Sequence, residues 1–124
     1  MSLGHVYVEV VLRGLKAERS SRMFVDTGST FSIIPRKMAD ELGVQTAAWK
    51  ENVVLADGSV KEFDVCWGHL QLKGRGTVAK MLLSDVDEPV LGTETLETLG
   101  LMVDPVRGTV EPSRAWAARA PTRM

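Results

Sequence analysis

Apolar and polar residues alternate along most of this chain, with the period of β-strands. From His5 to Arg13, Val6, Val8, Val10 and Leu12 share one face while Tyr7, Glu9, Val11 and Arg13 take the other. Gly14 to Ser21 is polar and reads as a turn, after which Arg22 to Val25 forms a short apolar strand running into Asp26. Thr30 to Ile34 is a further strand, stopped by Pro35. The pattern then changes. Pro35 to Gly43 reads as a short helix, because proline suits the first turn, Met38 and Leu42 stand four apart, and glycine commonly follows the last turn.

Asn52 to Ala56 and Ser59 to Trp67 are the arms of a hairpin around Asp57-Gly58, a strong two-residue turn signal. In the second arm Phe63, Val65 and Trp67 share a face, but the apolar set moves to Leu70 and Leu72 beyond Gly68, which predicts a bulge at that glycine. Lys73 to Gly76 turns the chain into the strand Thr77 to Leu83. Ser84 to Pro89 is an acidic loop, Val90-Leu91 a very short strand, and Thr93 to Leu99 a helix ended by Gly100. Leu101 to Val103 and Thr109-Val110 close the fold around Asp104-Pro105. These signals predict a mostly β protein with two short helices: one domain over residues 1–112, then a basic Ala/Arg-rich tail over 113–124.

Composition narrows the chemistry. At 124 residues there is room for one domain, not for separate cofactor and substrate lobes. The apolar fraction of 44% and charged fraction of 25% are those of an ordinary globular chain. A net charge of −1 argues against a dedicated nucleic-acid binder. Cys66 is the sole cysteine, so no internal disulfide forms and a reducing compartment is the simplest setting. His5 and His69 are too few for a histidine-built metal site. No apolar run reaches the roughly 18 residues of a membrane span, and the first residues carry no signal-peptide pattern. The expectation is a cytoplasmic protein with no metal, no cofactor, no nucleic-acid partner and no membrane association.

Several patterns carry little chemistry. Gly74-Arg75-Gly76-Thr77-Val78-Ala79 formally matches a dinucleotide fingerprint, but it leads into β-branched residues, and a hairpin turn is the better reading. Cys66 and His69 are three apart in a strand and therefore face opposite sides, unless the bulge at Gly68 realigns them. Asp85, Asp87 and Glu88 lack the spacing and glycine of a calcium loop. Trp49, Trp67 and Trp116 are not interleaved with basic clusters, so packing outranks base stacking. Residues 106–124 carry a net of +3 against −4 on residues 1–105, the signature of a solvated basic terminus.

Asp26-Thr27-Gly28-Ser29 remains. It follows Met23-Phe24-Val25, and its glycine permits a tight turn that holds an aspartate near backbone N–H groups at the end of a strand. Together with Val90-Leu91-Gly92 about 65 residues later and the short helix after it, Phe24-Val25-Asp26-Thr27-Gly28-Ser29 resembles the retropepsin-like aspartic proteases, single-domain relatives of pepsin. The resemblance covers roughly residues 5–112, and the run from Leu91 through Pro105 is most like the bacterial and archaeal members.

This resemblance implies a retropepsin-like barrel covered by a flap hairpin, and an aspartic endopeptidase in which two carboxylates share one proton and activate a water. Asp26 matches the catalytic aspartate, Thr27 the residue that bonds across the dimer, Gly28 the turn that brings amides to the carboxylates, and Ser29 a hydroxyl donating to them. Such donation would favour the charged form. A second Asp-Thr-Gly is absent, so the family pattern implies a homodimer acting on a peptide or protein substrate, with the dyad formed by Asp26 of two subunits. Leu55, Ala56, Asp57, Gly58 and Ser59 match the flap tip, and Ile33 and Val90 match substrate-pocket positions. The flap tip departs from the glycine-rich retroviral pattern. Asp87 and Glu88 stand where retroviral enzymes are apolar, a departure that points to tolerance of basic side chains. The alternative within this fold is an inactive dimerisation or peptide-binding module.

Overall fold

In a computed structural model, which describes residues 5–116, β1 (Val6–Arg13) and β2 (Glu18–Val25) form an antiparallel hairpin with Val6 opposite Val25 and Arg13 opposite Glu18. The β2 strand starts four residues earlier than its apolar pattern suggests. Its first half is solvent-facing and held by pairing with β1 alone, so no hydrophobic signal marks it. The short strand β3 (Ser32–Pro35) leads into α1 (Arg36–Leu42), and β4 (Gln45–Val54), β5 (Val60–Leu72) and β6 (Arg75–Ser84) follow as a meander. Then come β7 (Val90–Leu91), α2 (Thr93–Thr98), β8 (Leu101–Asp104) and β9 (Thr109–Pro112). The main sheet runs β1-β2-β7-β3-β6-β5-β4, and an extra pairing of β1 with β5 closes six of these strands into a barrel.

The expected bulge at Gly68 is not there. β5 pairs with β6 without a break from Asp64 opposite Leu83 to Leu72 opposite Arg75. The apolar set changes face because this long strand serves two cores. Phe63 and Val65 pack with Leu82 on one side, while Cys66, Leu70 and Leu72 point into the barrel on the other. The irregularity lies in β4 instead, where the register against β5 shifts between Thr46 and Lys50. Residues 45–51 are mostly exposed, which hid that half of the strand.

Both helices form where their punctuation predicts. In α1, Met38 and Leu42 are buried, and Gly43 ends the helix in the left-handed region at φ 68°, its N–H donating to Ala39 O at 2.9 Å. The Lys73-Gly74 pair, with φ of 51° and 73°, makes the two-residue turn between β5 and β6, so the Gly-rich stretch is a hairpin turn. At the far end of α2 the buried Arg75 donates through Nη1 to Leu99 O at 3.0 Å and Gly100 O at 2.8 Å. Arg114 Nη2 donates to Thr98 O at 2.9 Å, and the Trp116 ring lies 5.5 Å from one guanidinium and 5.6 Å from the other. Among the described residues no carboxylate pairs with Arg75; carbonyls at the negative end of the helix meet its charge.

The β8–β9 hairpin is a separate two-stranded sheet. Of the basic tail over 113–124, residues 117–124, with Arg119 and Arg123, lie outside the described residues. No helix among the described residues is long and apolar enough to cross a membrane.

Candidate active site

β2 delivers Asp26 at its end. The Asp26 N–H donates to Leu91 O at 3.0 Å, continuing the parallel pairing of Val25 with Leu91. The chain then turns tightly: Ser29 N–H returns to Asp26 O at 3.1 Å, and Gly28 N–H donates to Asp26 Oδ1 at 2.9 Å. A Cβ at residue 28 would sit 3.3 Å from that same carboxylate oxygen, so glycine lets the backbone approach the acid. Ser29 does not donate to Asp26. Its hydroxyl is committed to Phe31 O at 2.7 Å, within the loop. Thr27 is exposed at the outer side of the turn.

Behind the loop, the segment Val90-Leu91-Gly92 and α2 act as a brace. Thr93 N–H donates to Ser29 O at 2.8 Å and Glu94 N–H to Thr30 O at 3.0 Å. Ser32 Oγ accepts the Gly92 N–H at 3.0 Å and lies 2.7 Å from Thr95 Oγ1, in a site sealed from solvent. Gly92 packs against the loop so closely that a Cβ would meet Phe31 C and O at 2.5 Å. The two motifs that stand far apart in the chain are thus one hydrogen-bonded unit.

The β4–β5 hairpin overhangs the loop. Its connection is five residues, not two: Val54 pairs with Val60, Leu55 N–H donates to Ser59 O at 2.8 Å, and Gly58 N–H to Leu55 O at 2.9 Å, with Gly58 at φ 85°. Asp57 Oδ1 accepts from the Ser59 hydroxyl and from its N–H at 2.9 Å, and these bonds hold the Asp57 carboxyl below its ordinary value. The expected two-residue turn fails because the Asp57 side chain organises the larger loop.

Between hairpin and loop lies an open cleft of about 480 Å³ with Asp26 on its floor. Of the residues the sequence singles out, Gly28, Ser29, Ile33, Leu55 and Ala56 also line it. Asp57, Gly58 and Ser59 form the exposed hairpin end instead, and Val90 is half-buried beside Ile33 and Phe24 in the sheet. The acidic pair near Val90 stands away from this cleft in the single chain: Asp87 lies beside Arg19 and Lys37, and Glu88 accepts from the Tyr7 hydroxyl at 3.4 Å. Phe31, Val53, Phe63 and Leu82, which sequence reasoning did not single out, supply an apolar wall. Their signal was present in part, since Phe31 directly follows the aspartate loop and Phe63 and Leu82 alternate in strands. Asp26 also borders a second open cavity of about 370 Å³, lined by His5, Val6, Phe24, Thr27, Val103 and Pro105.

Other candidates are not brought together. Cys66 is fully buried in the barrel, where burial pushes its thiol up to about 12, and His69 lies on the opposite face of β5. Among the described residues no group of three His, Cys, Asp or Glu side chains is placed to hold a metal ion.

A family model for aspartyl proteases matches residues 8–95, a span that includes the Asp26 loop and the Val90-Leu91-Gly92 segment. Among solved structures, the chain is similar to the EIAV protease in complex with the inhibitor HBY-793, at 19% identity and a TM-score of 0.63, covering 78% of this chain and 89% of that one. It is similar also to the simian foamy virus (mac) protease in solution, at 19% identity and a TM-score of 0.55, covering 75% of this chain and 93% of that one. No curated protein sequence matches. At these identities the structural likeness speaks for the fold: a closed β-barrel with two short helices, of the retropepsin-like kind.

Proposed function

This chain belongs to the aspartyl protease family, and from that premise we propose that it is an aspartic endopeptidase whose catalytic dyad is Asp26 of two subunits. The observation that carries the reading is the setting of Asp26. A lone aspartate stands at the floor of an open cleft with an apolar wall, its carboxylate held by the Gly28 N–H and overhung by a hairpin.

One carboxylate alone cannot perform the chemistry. A second Asp26, brought close by a two-fold axis, would make a pair that shares a single proton, because two like charges about 3 Å apart cannot both persist. The ionised member takes a proton from water as its oxygen bonds to the scissile carbonyl carbon, and the protonated member gives its proton to the carbonyl oxygen. Collapse of the resulting diol breaks the C–N bond, and the proton taken from water goes to the leaving amine. Thr27, exposed beside the acid, is placed to meet a partner subunit, and the β4–β5 hairpin to exclude water over an extended peptide. The wall of Phe31, Ile33, Val53 and Leu82 favours apolar side chains.

Purified protein incubated with an unfolded polypeptide tests this. Cleavage that is blocked by a statine peptide and lost in Asp26→Asn, with a dimer seen by sedimentation, supports it. A folded protein that cleaves nothing between pH 4 and 8 assigns the fold to a peptide-binding or dimerisation module instead.

A further inference from the structure

The β5–β6 face that walls the cleft does not stop at the cleft. Residues paired across these strands put their side chains on one side, so Val65 with Leu82, Trp67 with Lys80, and His69 with Val78 form a continuous stripe. At one end Leu82 lines the cleft. Next along, Lys80 Nζ lies 5.1 Å from the ring of the cleft residue Phe31 and 2.6 Å from Glu51 Oε1, so its charge is already paired. Beyond it the stripe is uncovered. The register shift in β4 brings Trp49 edge-on against Trp67, with ring centroids 5.8 Å apart, and leaves Trp49 59% exposed. Val78 is 66% exposed and flanks Trp67 in two shallow hollows, a polar one bordered by Glu94 and an apolar one shared with the exposed Leu15.

We infer that this stripe is an extension of the substrate-binding surface, one that docks an apolar or aromatic side chain of the polypeptide substrate outside the cleft. The inference rests on the protease reading. Its occupant follows from continuity: the stripe lies on the strand face behind the cleft wall, and at the surface it is joined to the cleft through Phe31 and Lys80. Large apolar groups left open to water in one contiguous patch mark interaction surfaces, and tryptophan is the residue most enriched at their centres. From Leu82 to Val78 is four residues of strand, about 13 Å, a distance that about four residues of extended substrate span. The substrate class is therefore a polypeptide long enough to reach both regions, with an apolar anchor more than four residues from the cleaved bond. A short peptide filling only the cleft would not use the stripe.

Two substrates separate the outcomes: unfolded β-casein, and an octapeptide copying one of its cleaved bonds. Trp49→Ala and Val78→Lys, both at exposed positions, are expected to lower kcat/KM on casein about tenfold while changing it on the octapeptide by less than about twofold. Equal losses on both substrates, or no loss on casein, overturn the inference. A change of sedimenting mass in either variant assigns the face to a second copy of the chain and overturns it as well. If the unaltered protein cleaves neither substrate, the protease reading fails and takes this docking surface with it.

Discussion

The hydroxyl oxygens of Ser32 and Thr95 lie 2.7 Å apart, sealed from solvent, and the Ser32 oxygen also accepts the Gly92 N–H at 3.0 Å. One serine thereby ties β3 to α2 and to the Val90-Leu91-Gly92 segment behind the aspartate loop. Removing the two partners should not cost the same. Ser32→Ala orphans a buried N–H and a buried hydroxyl together and is expected to destabilise by about 2–4 kcal/mol, whereas Thr95→Val leaves the Gly92 bond intact and costs about 1 kcal/mol. Urea denaturation of both variants checks the ranking.

Gly92→Ala tests how rigid that junction is. The backbone at Gly92 has a φ of −95°, which any residue can adopt, so the cost is steric alone: the new Cβ meets Phe31 backbone at 2.5 Å and Ser29 O at 2.9 Å. Overpacking against backbone is expected to cost about 1–3 kcal/mol and to displace the loop that carries Asp26. Thermal melts should show the loss of stability. Peptide cleavage should fall further than stability explains, and retention of full cleavage would count against a fixed loop.

Ser29 is bonded to Phe31 O, not to the acid. Ser29→Ala should therefore leave the pH dependence of cleavage where it is in the unaltered protein and cost about 0.5–1.5 kcal/mol through the lost loop bond. A pH–rate profile that moves on this substitution would show the hydroxyl turning toward the carboxylate in the working enzyme.

Arg36, at the start of α1, donates to the Asp64 carboxylate of β5 at 2.8 Å, with Lys50 Nζ 3.4 Å away on the other oxygen. The Arg36 hydrogen bond first, and Lys50 second, hold Asp64 below its ordinary value of 3.8. A carboxyl lowered in the folded state contributes stability above its unfolded value and loses it as pH falls through the folded one. The gap in melting temperature between the unaltered protein and Arg36→Gln is therefore expected to be full at pH 6–7 and to close below pH 3.8. A gap that persists at pH 2 would assign the effect to packing.

Cys66 should be silent. With its thiol pushed up to about 12 by burial, the folded protein at pH 8 is expected to resist iodoacetamide for hours and to react fully once unfolded in urea. Intact mass before and after denaturation reads this directly.

How much of this was legible in the sequence varied with burial. β1, α1, the β5–β6 turn and α2 carry their own signals, because each has a buried face or a punctuating residue: Val10 and Leu12, Met38 and Leu42, Lys73-Gly74, Gly100. The first halves of β2 and β4 carry none, being exposed strands held only by their neighbours. The apolar phase change in β5 is visible but ambiguous, since one strand lying between two cores and one strand with a bulge leave the same pattern. At the site, the aspartate loop and its Gly92 brace were readable as spaced motifs. The wall of Phe31, Val53, Phe63 and Leu82 was not, because it is assembled from four strand and loop segments whose proximity only the barrel closure creates.

A six-residue helix has no persistence of its own in water. α2 is nonetheless fastened at both ends: to the aspartate loop by the N–H groups of Thr93 and Glu94, and to the β5–β6 turn by Arg75. It therefore works as a tie-rod. To open, the aspartate loop must give up its bonds to a helix that is itself anchored to a guanidinium seated in a different strand. The loop and the far hairpin are therefore expected to open together, with the Thr93 and Glu94 amides exchanging at the same rate as those of the β5–β6 hairpin.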